Sequence, residues 1–192
     1  NVQLADNFWQ QTQSGNNTTA HLRNKLLLFD EVANPINQTF NLELKNDIIR
    51  FNLSNIPSGV GTLQKLIWTV ETVAGGNTQW ATLNVTNVSS GTTSLTTYLA
   101  FDPTVTKIGA GGKVKITLIG DNSSYEWWSN PIANEKTYDP GKRYYASVSG
   151  TWTPAQAKFS YLIEYIWDGY THQIWQTDAS STSPANLTID WG

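Results

Sequence analysis

Apolar side chains along this chain recur at every second position, in short runs divided by strong turn formers. In Lys113–Gly120, Val114, Ile116 and Leu118 fall on one face and Lys113, Lys115 and Thr117 on the other. A period of two marks a half-buried β-strand. Arg143–Val148 repeats the pattern with Tyr144, Ala146 and Val148, and Thr97–Phe101 repeats it with Leu99 and Phe101. Upstream, Thr39–Leu44 alternates through Phe40, Leu42 and Leu44, and Asp47–Ile56 through Ile49, Phe51 and Leu53. Leu63–Val73 presents Leu66, Trp68 and Val70 together, and Trp80–Val85 is its expected return strand. Lys25–Val32 differs, because its four apolar residues Leu26 to Phe29 are consecutive. A run that short predicts a buried strand rather than a helix.

The breaks carry their own chemistry. Ala74-Gly75-Gly76-Asn77 predicts a tight hairpin turn, since adjacent glycines accept the positive φ such turns need. Asn34-Pro35, Pro57-Ser58-Gly59, Asp102-Pro103, Asn130-Pro131 and Asp139-Pro140-Gly141 read as turns. Gly109-Ala110-Gly111-Gly112 lies between two strands and precedes no helix, so it lacks the helix N-terminus of a phosphate cradle. Residues 1–24 are polar, with Leu4, Phe8 and Trp9 as bulky anchors. A loop or short helical turn is expected over Ala5–Trp9, then an irregular crossing segment containing Gln10, Gln11 and Gln13.

After Thr153-Pro154-Ala155, expected as a turn or linker, Lys158–Trp167 alternates again. Asp168-Gly169 predicts a hairpin with Tyr170–Gln176 as partner. A Ser/Thr/Pro linker over 178–185 leads to a short last strand, Asn186–Trp191, with Leu187, Ile189 and Trp191 aligned. Residues 1–152 form one expected domain, and 153–192 a terminal hairpin and strand packed on it. Short strands with turn chemistry between them predict an antiparallel sandwich rather than a parallel α/β fold.

Composition narrows the function. The formal net charge is −3 with no basic tract, which removes the electrostatic term that drives nucleic-acid binding. No eighteen-residue apolar run is present, so no membrane-spanning helix is expected. Cysteine is absent, which excludes a disulfide frame, a thiolate metal site and a cysteine nucleophile. The chain begins at Asn1 and has no methionine, as a processed product with its targeting segment removed would.

One stretch carries a resemblance. "YLAF-P", a glycine-rich turn, "GKVKITL", "YEWW" and "YDPGKRYYASVSGTW" follow each other within residues 97–152. Upstream stands "FNLELKNDIIRFNLSNIPSGVGTLQKLIWTV", Phe40 to Val70. Across roughly 25–152 this order resembles the fimbrillin family of Bacteroidetes, the fimbrial subunits and related surface lipoproteins; Pro140–Val148 is the most family-like piece. The resemblance implies an all-β fold, an antiparallel β-sandwich of transthyretin-like or Greek-key form with little or no helix. It implies an exported protein on the bacterial outer-membrane surface, trimmed by a protease and polymerised by strand complementation. Its partners would be other copies of itself or related pilin subunits, with a host or microbial glycan as a further ligand. The family's usual N-terminal portion, with its lipidated cysteine, has no counterpart here.

Little in the sequence suggests catalysis. His21 and His172 lack the spacing of zinc ligands, and Asp121-Asn122-Ser123-Ser124 lacks the acidic pattern of a calcium loop. Glu164 with Asp168, or Glu126 with Asp121, would form a glycosidase pair only at the right separation. No G-x-S-x-G elbow is present. The expectation is therefore no enzyme, no metal and no cofactor. Two binding features remain. The tail 183–192 alternates as a donated strand would, through Leu187, Ile189 and Trp191, and equally as the last strand of its own domain would. Tyr125, Trp127, Trp128 and Tyr170, together with Trp80, Trp167 and Trp175, are candidates for a sugar-stacking surface, against the alternative of core packing. Adjacent strand residues face opposite ways, so one of Trp127 and Trp128 is expected inside and the other outside.

Overall fold

The computed structural model of the chain describes residues 9–26, 28–29, 43–71, 77–103, 106–155, 157–167 and 170–181. The chain divides into two compact units, Asn1–Thr153 and Pro154–Gly192. The described residues are mostly β-strand, with two short 3-10 turns, Ala20–Asn24 and Ser58–Val60.

Two sheets build the first unit. The larger is assembled from β1 (Gln10–Ser14), β5 (Leu63–Glu71), β6 (Asn77–Thr86), β8 (Lys113–Gly120), β9 (Ser124–Trp128) and the two-residue β11 (Thr153–Pro154), in the order β1-β6-β5-β8-β9-β11. The smaller holds β4 (Asp47–Leu53), β7 (Leu95–Phe101) and β10 (Arg143–Val148), in the order β10-β4-β7. Their inner faces share one core. Ile49, Phe51, Leu53, Leu99, Phe101 and Val148 of the small sheet meet Leu66, Trp68, Val70, Leu83, Ile116 and Leu118 of the large one. This is the packing of a β-sandwich, in which inward residues of both sheets interleave. Trp68 sits near its middle, edge-on to Phe51 at 5.5 Å and to Phe101 at 5.3 Å. Edge-to-face contacts of this kind add to what ring burial alone contributes. Tyr138 extends the stack 5.0 Å beyond Phe101, and burial pushes its phenol up to about 12.

The alternating runs form strands with their expected inward residues buried: Ile49, Phe51 and Leu53; Leu66, Trp68 and Val70; Leu99 and Phe101; Ile116 and Leu118; Val148. The strands β4 and β7, β5 and β6, β5 and β8, and β8 and β9 pair antiparallel. Glu71 pairs with Asn77 across the glycine-rich segment, and β6 begins at Asn77, earlier than the expected Trp80.

Several expectations are corrected. Two pairings are parallel: β1 with β6, and β10 with β4. Both involve a strand at the end of its sheet, reached by a long excursion rather than a hairpin. Gln10–Ser14 is a strand, not an irregular crossing, while residues 1–8 lie outside the described residues. Among the described residues of the run after Lys25, Leu28–Phe29 forms the two-residue strand β2, paired with β3 (Glu43–Leu44). Leu26 and Leu28 stand 41% and 55% exposed, so this is not the buried strand that its apolarity suggests. Phe40 and Leu42 lie outside the described residues. Thr153–Pro154 forms the β11 stub where a turn or linker was expected.

The second unit contains a long antiparallel hairpin, β12 (Ala157–Trp167) with β13 (Tyr170–Ser181). Trp167 pairs with Tyr170 on either side of Asp168-Gly169, which themselves lie outside the described residues. β13 continues to Ser181, into the expected linker.

Candidate functional site

A sheet edge offers a row of unpaired N–H and C=O groups to any other strand, and proteins either cover such edges or use them. The small sheet has two edges, β7 and β10, and the fold treats them in opposite ways.

The β7 edge is covered by side chains. β1 runs along the margin of the large sheet, with Gln11 and Gln13 buried at 2% and 0% exposure. Gln11 Nε2 donates to Ala100 O at 2.5 Å, and Ala100 N–H donates back to Gln11 Oε1 at 3.0 Å. Gln13 repeats this one step along: its Nε2 donates to Thr96 O at 2.9 Å and its Oε1 accepts from Tyr98 N–H at 2.9 Å. A primary amide carries the same donor and acceptor as a peptide unit, so each glutamine replaces one peptide of a missing neighbour strand. The turn after β1 completes the cover. Asn16 Oδ1 accepts from Thr96 N–H at 2.8 Å, Asn17 N–H donates to Thr96 O at 3.0 Å, and His21 Nε2 bonds Tyr98 O at 3.0 Å. Asn17 turns the chain at φ 58°, a left-handed conformation that asparagine tolerates well. All six outward main-chain groups of Thr96, Tyr98 and Ala100 thus have partners. The bond to a carbonyl requires His21 to carry its proton on Nε2, and burial lowers the pKa of this imidazole.

Among the described residues, no strand covers the β10 edge. Ile48 N–H donates to Lys142 O at 3.1 Å and Ser54 N–H to Val148 O at 2.9 Å, so the even-numbered residues of β10 direct their main chain at β4. The main-chain groups of Arg143, Tyr145 and Ser147 therefore point away from the sheet. β10 ends the strand order, and among the described residues no strand lies beyond it. Its side chains divide the same way. Tyr144 and Ala146 pack on the core, while Tyr145 stands 69% exposed on the outer face. The approach to β10 is fixed by Asp47, whose Oδ1 accepts from Lys142 N–H at 2.9 Å. Asp47 is fully buried, and burial raises its pKa above the usual carboxylate value.

Of the aromatic residues singled out from the sequence, Tyr125 and Trp127 lie on one face of β9 and Trp128 on the other. Tyr125 and Trp127 pack against the core, and Trp127 Nε1 donates to Ser149 O at 2.7 Å. Trp128 is also half-buried, on the opposite face, with Lys115 Nζ 5.1 Å from its ring centroid. Tyr170 begins β13 in the second unit. Leu187, Ile189 and Trp191 lie outside the described residues.

Of the acidic candidates, Glu126 pairs with Lys115 at 3.2 Å and Asp121 Oδ1 accepts from Thr62 N–H at 2.7 Å, while Asp168 and the side chain of Glu164 lie outside the described part. That bond lowers the Asp121 pKa. Among the described residues no group of three or more metal-ligating side chains gathers, and no helix is long and apolar enough to cross a membrane. Comparison with protein families, with curated proteins and with solved structures finds no match to this chain.

Proposed function

We propose that the chain is a fimbrillin-type protein of the bacterial outer surface: a structural subunit or tip adhesin of a fibre, joined to its neighbours by β-strand pairing. The single observation that carries this reading is the contrast between the two edges of the small sheet. One edge is sealed at all six of its outward main-chain groups by seven hydrogen bonds to β1 and the turn that follows it. The other presents Arg143, Tyr145 and Ser147 with outward main-chain groups and no described neighbour strand. A protein that only had to stay monomeric would gain from blunting both edges. The same strand lies in Pro140–Val148, the segment that most resembles the fimbrillins. An added strand would take its main-chain bonds from β10 and its side-chain specificity from the surfaces above and below.

The test is a denaturing gel of the protein from its native source, run with and without boiling. A ladder that collapses to one band on boiling supports a strand-paired fibre, because such joints resist detergent while intact. Tyr145→Pro and Ser147→Pro each remove one outward N–H and no bond to β4, a place where an edge strand tolerates proline. Both are expected to abolish the ladder while the monomer stays folded. Deleting 183–192 asks whether the donor is the chain's own tail. A single monomer band in both lanes sinks the stalk-subunit reading, and a ladder that survives both prolines moves the joint away from β10.

A further inference from the structure

The outer face of the small sheet carries a groove of about 420 Å³, within the range of small-ligand sites. Arg50 reaches it from β4, Arg143 from β10, and Arg23 from the 3-10 turn over Ala20–Asn24. These are all the arginines in the chain. The chain has more acids than bases, 15 against 12, yet no described Asp or Glu lines this groove. Arg23 and Arg143 are exposed and make no ion pair among the described residues. Arg50 is held in place: its Nε donates to Asn52 Oδ1 at 2.9 Å, and its terminal amino groups have no hydrogen-bond partner among the described residues. Its guanidinium carbon lies 6.0 Å from the ring centroids of both Tyr98 and Tyr145. Tyr98 is steadied by its hydroxyl, which donates to Asn17 Oδ1 at 2.7 Å. Leu22 and Ile48 add apolar lining.

Guanidinium groups bind oxyanions through paired, planar hydrogen bonds, and three with no counter-charge among the described residues attract a ligand that brings one. A bare anion would leave the tyrosine rings and the apolar wall without a role. Flat aromatic faces beside apolar side chains suit the C–H faces of a sugar ring. A nucleic-acid strand needs a longer basic track, and an acidic peptide binding as a strand would use main-chain pairing, which this face of side chains does not supply. We propose that the groove binds an acidic saccharide, a sugar ring bearing a carboxylate or sulfate, with the arginines on the oxyanion and Tyr98 and Tyr145 against the ring. The proposal stands on the groove alone and does not require the fibre reading.

The test is calorimetric titration of the full chain with a heparin tetrasaccharide, a galacturonate tetramer, maltotetraose, sodium sulfate and a single-stranded oligonucleotide. One or both acidic oligosaccharides are expected to bind, with affinity falling as salt rises, and maltotetraose is not. The sulfated and carboxylated probes tell which oxyanion is preferred. Arg23→Gln and Arg143→Gln, checked for folding by circular dichroism, should each weaken binding roughly tenfold, the scale of a lost charge-assisted hydrogen bond. Failure of both acidic probes, equal binding of maltotetraose, or unchanged affinity in the double variant overturns the proposal. So does sulfate binding as tightly as the oligosaccharides, or an oligonucleotide binding more tightly.

Discussion

Replacing Gln11 by alanine tests whether side chains seal the β7 edge. The change removes both bonds to Ala100, whose own exposure is 0%. A buried N–H or C=O left without a partner costs about 1–3 kcal/mol, so two such groups give about 2–6 kcal/mol. Water entering the vacated space restores part of this, and the expected loss is about 2–4 kcal/mol. Gln10→Ala is the control, because Gln10 is an exposed neighbour on the same strand; surface changes of that kind stay within about 0.5 kcal/mol. Stability is read from urea unfolding followed by tryptophan fluorescence, and hydrogen exchange locates the effect. The Ala100 amide should lose protection, while the Leu99 amide, in the β4–β7 ladder, should keep most of its own. A Gln11→Ala protein within about 0.5 kcal/mol of the parent, or an Ala100 amide that exchanges at the parent rate, would refute the reasoning.

Two further predictions come from separate parts of the fold. A Cβ added at Gly120 would meet Val60 O at 2.0 Å, a backbone atom with nowhere to move cheaply, so Gly120→Ala is expected to lower stability by about 2–4 kcal/mol in thermal unfolding. Burial lowers the His21 pKa below its usual 6.5, so its contribution is fully present above 6.5 and is lost as pH falls toward the folded value. Between those two values stability should fall with a slope of at most about 1.4 kcal/mol per pH unit from this one proton. Urea unfolding across that range should show the slope for the parent and a flatter line for His21→Gln.

Strands in this protein are readable where one face is apolar and the other is not. Ile49-Phe51-Leu53 and Leu66-Trp68-Val70 fix their own register, since a one-residue slip would put every one of those side chains in water. The same logic fails at β1. Gln11 and Gln13 alternate as a strand should, yet they are buried by hydrogen bonding to a neighbouring main chain rather than by apolarity, and a hydropathy pattern reads them as surface. The available signal was the Gln-x-Gln spacing directly before Ser14-Gly15-Asn16-Asn17: two uncharged amides at period two, followed by a turn. Leu26 and Leu28 err in the opposite direction, because an apolar run says nothing about whether the fold supplies a surface to bury it. The groove was not legible either. Arg23, Arg50 and Arg143 are separated by most of the chain, and only the parallel pairing of β10 with β4 brings the last two side by side.

The two edges differ in what an incoming strand would have to displace. At β7 it would exchange main-chain bonds for seven that already exist, so little net energy is available and the ordering of the strand is left uncompensated. At β10, beyond which no described strand lies, added main-chain bonds would replace bonds to water, and the exposed flank of Tyr145 would be covered at the same time. A strand added to this sheet would therefore be directed to β10 by the state of the other edge as much as by β10 itself. Two of the residues whose main chain faces outward there, Arg143 and Tyr145, also line the groove. A strand that fixes this backbone alters the rotamers open to both side chains, and an oxyanion held by Arg143 alters the backbone that the strand must meet. Linkage makes such an effect reciprocal: whatever factor a groove ligand contributes to strand pairing, a paired strand contributes to ligand affinity.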